Sequence, residues 1–175
     1  MVADMLSSAL PTFADVETAA RRLAGHAVLT PLLESPLLND RLGGRLLVKA
    51  EVLQRTGSFK FRGAFNRISL IPEAERPRGV VAFSSGNHAQ GVAAASRFLG
   101  IPATIVMPSD APAIKVANTR EWGARVVLYD RWNEDREAIG ARISAETGAT
   151  LVRPYDDPYI MAGQGTIGLE LADQA

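Results

Sequence analysis

Short apolar runs alternate with longer amphipathic runs from residue 79 onward, and this alternation constrains the fold more than any other feature of the chain. Apolar runs rich in β-branched residues predict strands, and the runs with helical spacing between them predict helices. Strands separated by single helices imply parallel βαβ units with right-handed crossovers. The sequence therefore predicts an α/β fold, with strands at 79–83, 103–107, 125–129 and 150–153 and helices at 87–99, 112–122, 134–147 and 159–171.

Lys60 lies between two aromatic residues, Phe59 and Phe61, in the run SFKFRGA (58–64). Burial beside aromatic rings removes water from the amine and favours its neutral, nucleophilic form. The preceding residues TGS predict a helix start, so Lys60 falls in the first turn, where the helix dipole also disfavours an ammonium. These conditions suit a lysine that forms a Schiff base with a carbonyl compound. A surface lysine at a helix entry is the alternative interpretation of the same residues.

The run SSGNHAQG (84–91) follows a predicted strand and precedes an alanine-rich predicted helix. A strand that leads through a Ser- and Gly-rich turn into a helix N-terminus presents backbone N–H groups to an anion. A carboxylate or a phosphate fits such a turn, and the Asn87 amide is placed to bond a ring hydroxyl. The alternative is an ordinary strand–helix turn in which a serine caps the helix.

Together, in this order, the two runs resemble the fold-type II pyridoxal-phosphate enzymes, and within them the branch of serine/threonine dehydratases and serine racemases. The segments LTPL, VMP and AGQGT extend the resemblance from about Val28 to Leu171. The resemblance implies the N-terminal half of an architecture like that of the tryptophan synthase β subunit. It divides the chain into part of a large domain with the cofactor lysine (1–78), a small parallel α/β domain (79–153) and a return helix (154–175).

The same resemblance implies pyridoxal 5'-phosphate as the cofactor, bound covalently through Lys60. Phe59 and Asn87 are implied to contact the cofactor. Ser85 is implied as a second catalytic group, since a hydroxyl where many dehydratases carry alanine resembles the racemases and handles the proton on the face opposite the lysine. A helix-capping serine and a buried, hydrogen-bonded histidine are the alternatives for Ser85 and His88. The implied substrate-binding residues are Ser84, Ser85, Gly86, Asn87 and His88.

The implied reaction is β-elimination from a small hydroxy amino acid such as L-threonine or L-serine, which yields a 2-oxo acid and ammonia. Serine racemisation and elimination from hydroxyaspartate are alternatives within the family. The full-length form is expected to be a homodimer. The family's Gly-rich phosphate loop lies further along than residue 175, so a non-catalytic fragment is a third alternative. Two helices are then expected to expose apolar faces, formed by Val16, Ala19, Ala20 and Leu23 and by Ile160, Ile167 and Leu171.

The composition argues against several other classes of function. The 19 basic and 19 acidic residues give no net charge, so neither nucleic acid nor an anionic membrane surface is an expected partner. The chain has no cysteine and only two histidines, so we expect no disulfide, no thiol chemistry and no thiolate or histidine-rich metal site, and none of its residues is expected as a metal ligand. No apolar run approaches the length of a membrane span, and the N-terminus does not resemble a secretory signal. A cytoplasmic location is therefore expected.

Two further patterns have structural interpretations. The run GQGTIG (163–168) matches the spacing of a dinucleotide-binding motif, but no predicted strand precedes it directly. Close helix packing is therefore the favoured interpretation of its glycines. Arg62 follows Lys60 on the same predicted helix, and we expect it to pair with an internal carboxylate.

Overall fold

The computed structural model describes residues 10–175 of the chain. Its helices and strands alternate as the sequence predicts, with short 3-10 turns at Glu51–Leu53, Arg55–Gly57 and Glu73–Arg78. In chain order the elements are α1 (Phe13–Leu23), β1 (Leu32–Glu34), α2 (Pro36–Leu42), β2 (Leu47–Lys49), α3 (Lys60–Ser69), β3 (Val80–Phe83), α4 (Asn87–Leu99), β4 (Ala103–Pro108), α5 (Ala113–Glu121), β5 (Arg125–Tyr129), α6 (Arg136–Thr147), β6 (Thr150–Leu151) and α7 (Pro158–Gln174).

Four parallel strands form one sheet in the order β5-β4-β3-β6. β3 pairs with β4 along its whole length and with β6 at Val80 and Val81. The chain therefore builds outward from β3 to β5 and then returns to the other side of β3. Parallel α/β sheets bind ligands outside the carboxyl ends of the strands at the point where the strand order reverses. In this sheet that point lies between β3 and β6.

Helices cover both faces of the sheet, which confirms the predicted α/β fold class. Val80 and Ala82 of β3 belong to a core shared with α3 and α4, whereas Val81 and Phe83 belong to a second core shared with α6. Successive side chains of a strand point to opposite faces, so β3 is buried on both. Its unbroken apolar sequence is typical of such a strand. The antiparallel pair β1-β2 forms a separate small sheet.

The division of the chain at residues 79 and 153 stays a prediction. α3 comes from the segment 1–78 but packs closely on α4 of the segment 79–153. α7, which follows residue 154, packs on both α3 and α1. α3 therefore packs both on the segment that contains the parallel sheet and on α7, and so joins the two.

α3 and α7 cross at a pair of glycines, Gly63 and Gly163. A Cβ atom on Gly63 would lie 2.8 Å from the Ile160 carbonyl oxygen, and a Cβ atom on Gly163 would lie 2.8 Å from the Gly63 Cα atom. A Cβ atom on Gly165 would lie 3.1 Å from the Val16 side chain of α1. Two of the three glycines in the GQGTIG run therefore serve close helix packing, as the sequence predicts.

Gly63→Ala is expected to lower the free energy of unfolding by about 1–3 kcal/mol, because the added methyl group overlaps a backbone oxygen of α7. Gly168→Ala is the matched control. Among the described residues no atom lies within 4 Å of its would-be Cβ, so helix propensity should raise stability by up to about 1 kcal/mol. Urea denaturation measures both changes. Equal midpoints for the two variants would contradict the close crossing of α3 and α7.

The apolar faces of α1 and α7 pack against each other, so the expectation that both are exposed is wrong for Ala19, Leu23 and Ile160, whereas Val16, Ala20, Ile167 and Leu171 are partly buried. Ala19 and Leu23 of α1 and Ile160 of α7 have 0%, 4% and 0% of their surfaces exposed. The reason is that α7 returns along α1 and α3, and an apolar helix face needs only such a neighbour to leave water. Exposed apolar side chains cluster instead between residues 29 and 53, at Leu29, Leu33, Leu37, Leu38, Leu42, Leu46, Val48, Val52 and Leu53.

The helices begin and end close to their predicted positions, and the differences have local causes. Thr12 and Asp15 form a reciprocal capping box at the start of α1. α6 begins at Arg136 rather than at residue 134 because Asp135 caps its first N–H groups. Within residues 10–175, none of the helices combines the length and the apolar character that crossing a membrane requires.

Candidate active site

The two sequence runs that carry the predicted chemistry meet at the carboxyl ends of β3 and β6. The loop 84–86 follows β3 and leads into α4, and residues 152–157 follow β6 and lead into α7. α3 brings Lys60 to the same place, and Gly91 of α4 permits the close approach. A Cβ atom on Gly91 would lie 3.0 Å from the carbonyl carbon of Lys60. Lys60 and the loop therefore share one site, where the sheet order reverses.

The Lys60 amine is partly withdrawn from water. Its Nζ donates a hydrogen bond to the Pro154 carbonyl oxygen at 2.8 Å and lies 5.3 Å from the centroid of the Phe59 ring. Burial lowers the pKa of Lys60 below its ordinary value, because the ammonium loses hydration. The prediction that Phe61 also flanks the amine is wrong. Its ring packs against Phe65 in the core, since neighbouring residues of a helix point in different directions.

The loop after β3 has the form of an anion-binding turn. The Ser84 hydroxyl oxygen accepts a hydrogen bond from the Gly86 N–H at 3.2 Å, and α4 begins directly afterwards at Asn87. The first N–H groups of a helix have no partner within the helix, so those of Asn87 and His88 are placed to bind an anion. The predicted carboxylate loop thus has a suitable backbone.

The side chains of Ser85 in this loop and of Asn87 at the start of α4 are exposed. The Asn87 Oδ1 atom accepts a hydrogen bond from Lys115 Nζ at 2.9 Å, so the amide is set to act as a donor through its NH2 group. Gly86 occupies the N-cap position of α4, so the alternative of Ser85 as a helix cap is wrong. The catalytic role of Ser85 and the cofactor contact of Asn87 stay predictions.

His88 lies beneath the loop, with 3% of its surface exposed. Its Nε2 atom is 3.2 Å from the Val152 carbonyl oxygen, and because a carbonyl only accepts, Nε2 carries the hydrogen. Burial lowers the pKa of His88 to about 4, so the ring is neutral at pH 7. The buried ring leaves only the backbone N–H of His88 to contact a substrate carboxylate, and that contact stays a prediction.

The lowered pKa of His88 predicts an acid-sensitive fold. The unfolded chain binds a proton at this residue near pH 6.5, but the folded chain does so only near pH 4. The contribution of neutral His88 to the free energy of unfolding is therefore fully present above pH 6.5 and is lost as the pH falls toward 4. The loss amounts to about 3 kcal/mol. Between pH 7 and pH 4, the free energy of unfolding should fall by that much more in the wild type than in His88→Gln. Parallel pH dependences would assign the acid sensitivity to other groups.

Arg62 forms the predicted ion pair and has two carboxylate partners. Its guanidinium lies 2.8 Å from the Glu51 carboxylate and 2.6 Å from the Glu170 carboxylate, and Lys49 Nζ lies 2.6 Å from Glu170. Burial alone would raise the pKa of Glu170, but hydrogen bonds from Arg62 and Lys49 outweigh it and hold that pKa below its ordinary value. This network fixes α3 to α7 and so supports the helix that begins at Lys60.

Sequence reasoning missed the groups that hold the end of β6 in place. The acceptor for Lys60 is the backbone carbonyl of Pro154, and a carbonyl group has no sequence signal. Arg67 pairs with the buried Asp157 at 3.1 Å, and Asp157 also caps α7. The dipeptide Asp157-Pro158 is a readable signal for that cap. Nothing in the sequence indicates the pairing with Arg67.

Comparison with known proteins shows the family of this chain. A family model described as pyridoxal-phosphate dependent enzyme matches residues 23–175. The chain belongs to this family. The match confirms the family and the cofactor that the resemblance implies. The covalent role of Lys60 stays a prediction.

The relatives that this chain resembles are named as amino-acid ammonia-lyases and as a serine racemase. The chain is 57% identical to the L-threo-3-hydroxyaspartate ammonia-lyase of a Pseudomonas species over 164 residues, 94% of this chain and 51% of the relative. It is 50% identical to the Saccharomyces cerevisiae protein of the same name, again over 94% of this chain and 51% of the relative. The structure of maize serine racemase superposes with a TM-score of 0.92 at 39% identity, over 95% of this chain and 51% of that one. The chain thus spans about half the length of the curated relatives it matches.

The residues at the site fit pyridoxal phosphate. The lowered pKa of Lys60 favours the neutral form of the amine, which is the form that reacts with an aldehyde-bearing cofactor. The exposed amide of Asn87 offers a neutral donor to the ring hydroxyl group of the cofactor, and the backbone N–H groups at the start of α4 stay available for a substrate carboxylate. The part of the fold described here therefore presents an amine, a neutral donor and an anion-binding turn together.

Proposed function

We propose that this chain provides the lysine-bearing half of a pyridoxal-phosphate-dependent ammonia-lyase. The reaction removes the α-proton and the β-hydroxyl group of a small 3-hydroxy amino acid as water, and a water molecule then hydrolyses the enamine product to a 2-oxo acid and ammonia. One observation carries the proposal: the partly desolvated Lys60 amine, held by the Pro154 carbonyl oxygen, shares a site with the N-terminus of α4. An α-amino acid offers an α-proton and a carboxylate, and these two features match an amine base beside an anion-binding turn.

Each group has a distinct chemical role in this proposal. Lys60 Nζ, which becomes neutral more readily than an ordinary lysine, takes the proton from the α-carbon. The N–H groups in the first turn of α4 hold the substrate carboxylate through charge-assisted hydrogen bonds. The Pro154 carbonyl oxygen keeps Nζ at the start of α3. Pyridoxal phosphate, when bound, supplies an electron sink for the charge left on the α-carbon.

Two relatives narrow the choice of substrate. The Pseudomonas and yeast proteins, 57% and 50% identical to this chain, are both named for L-threo-3-hydroxyaspartate. We therefore place this amino acid ahead of L-threonine and L-serine. All three carry a hydroxyl group on the β-carbon, so the same residues would serve each. A homodimer and a cytoplasmic location stay predictions of the sequence resemblance.

The test measures release of ammonia and 2-oxo acid from L-threo-3-hydroxyaspartate, L-threonine and L-serine at saturating pyridoxal phosphate. The assay uses the chain alone and the chain joined to the C-terminal half of the Pseudomonas relative. We expect turnover by the joined protein, with hydroxyaspartate as the best substrate. No release from any of the three would contradict the proposal. Turnover by the chain alone that is lost in Lys60→Arg would show that 175 residues suffice.

Serine racemisation is the second candidate, favoured by the exposed hydroxyl of Ser85 and by the likeness to maize serine racemase. In this alternative Ser85 returns a proton to the α-carbon from the face opposite Lys60. Ser85→Ala in the joined protein is then expected to slow the formation of D-serine by on the order of 100-fold or more, while elimination is largely spared. Chiral chromatography follows the racemisation. Equal loss of both activities would indicate a folding role for Ser85.

A further inference from the structure

His88 belongs to the SSGNHAQG run, and its buried ring contacts the segment after β6. The Nε2–H group donates to the Val152 carbonyl oxygen at 3.2 Å. The Nδ1 atom is buried and has no hydrogen-bond partner among residues 10–175. A buried polar atom without a partner costs free energy, so packing alone does not account for a histidine here. An apolar residue of similar size would fill the space without that cost.

The carbonyl group that His88 holds lies close in the chain to the one that holds Lys60. Val152 is fixed on its other side, where its N–H donates to the Val81 carbonyl oxygen at 2.8 Å. Two residues later the Pro154 carbonyl oxygen accepts from Lys60 Nζ at 2.8 Å. The segment 152–154 is therefore clamped at Val152 before it reaches the amine.

The backbone that follows Pro154 does not by itself hold the segment 152–154 in place. Asp156 has a φ of 53°, a left-handed conformation that is uncommon for residues other than glycine. The next fixed point is Asp157, which pairs with Arg67. The position of the chain between β6 and α7 thus depends on tertiary contacts. On the β6 side of Pro154, the side-chain contact that lies nearest is the one from His88 to Val152.

We propose that His88 is a positioning residue for Lys60: by fixing the Val152 carbonyl group it places the Pro154 carbonyl oxygen where it holds the Lys60 amine in the partly desolvated site. This inference rests on the proposed role of Lys60 as the reactive amine. His88 acts through the segment 152–154 and does not touch substrate or cofactor. The neutral ring also adds no positive charge beside Lys60, the ionisable group that it faces.

Two variants with the same amide chemistry test the proposal. The glutamine of His88→Gln places a neutral N–H donor at about the position of the histidine Nε2 atom. The asparagine of His88→Asn is one methylene shorter and is not expected to reach the Val152 carbonyl oxygen. Competitive acetylation of the cofactor-free chain, followed by mass spectrometry from pH 7 to 11, gives the apparent pKa of Lys60 against Lys115 as an internal standard. Amide hydrogen exchange of residues 152–157 is measured on the same samples.

We expect His88→Asn to raise the apparent pKa of Lys60 by about one unit, so that about tenfold less of the amine is neutral at pH 8. Exchange of residues 152–157 should accelerate at least severalfold. His88→Gln should restore both values to near those of the wild type. An unchanged pKa of Lys60 in His88→Asn, or equal behaviour of the two variants, would overturn the proposal even if stability falls. Because neither cofactor nor substrate is present, the result does not depend on whether the assay for the proposed function succeeds.

Discussion

Lys60→Ala is expected to abolish covalent attachment of pyridoxal phosphate to the chain. The sequence has three lysines, and the structure engages the other two with partners of their own. Lys49 forms an ion pair with Glu170 at 2.6 Å, and Lys115 donates to Asn87 at 2.9 Å. Burial lowers the pKa of Lys60 below its ordinary value and favours the neutral amine. Loss of this one side chain should therefore remove the whole adduct.

The measurement is borohydride reduction in the presence of pyridoxal phosphate, followed by peptide mapping of the chain and of the joined protein. The wild type should carry the pyridoxyl group on Lys60, with a visible absorption band before reduction that is absent in Lys60→Ala. Lys60→Arg keeps the positive charge without a nucleophilic amine and should behave in the same way. Lys115→Ala is the control that retains the adduct. A wild-type adduct on Lys49 or Lys115 would refute the assignment.

Arg62→Met is expected to cause the largest loss of stability, about 3–5 kcal/mol, because it leaves the inward-facing Glu51 carboxylate without its cation and leaves Glu170 with Lys49 alone. The Arg62 side chain is 1% exposed, and it bonds Glu51 and Glu170 on either side. The difference in the free energy of unfolding between the wild type and the variant should become smaller as the pH falls through the range where glutamates titrate. Protonated Glu170 needs no cation, so acid removes part of the penalty from the variant. Chemical denaturation at several pH values measures both effects.

Arg45→Met is the matched control for this prediction. It breaks the exposed pair between Arg45 and Glu34 at 2.8 Å, where water and salt screen the charges. We expect the denaturation midpoint to stay nearly unchanged in this variant. Similar midpoints for Arg62→Met and Arg45→Met would show that the buried network adds little to stability. A difference in the free energy of unfolding between the wild type and Arg62→Met that stays constant with pH would show that Arg62 does not act by stabilising the carboxylates.

Local rules were enough to place most elements of this fold. The apolar run at 125–129 matches β5, and the Ala-rich run at 87–99 matches α4, which ends at a left-handed Gly100. These signals lie within a few residues of the element they specify, because side-chain periodicity and helix termination depend on near neighbours. The SFKFRGA and SSGNHAQG runs are equally local. They point to an amine and an anion-binding turn before any tertiary contact is known.

The sequence by itself therefore determined the α/β class, the order of the elements and the two runs that carry the proposed chemistry. Only the tertiary structure decided how distant segments meet. It places β6 beside β3, gives Lys60 the Pro154 carbonyl oxygen, and turns the His88 ring toward Val152. It also selects Glu51 and Glu170 as the partners of Arg62. The physical reason is that these contacts join residues far apart in the chain, so they depend on how whole helices and strands pack.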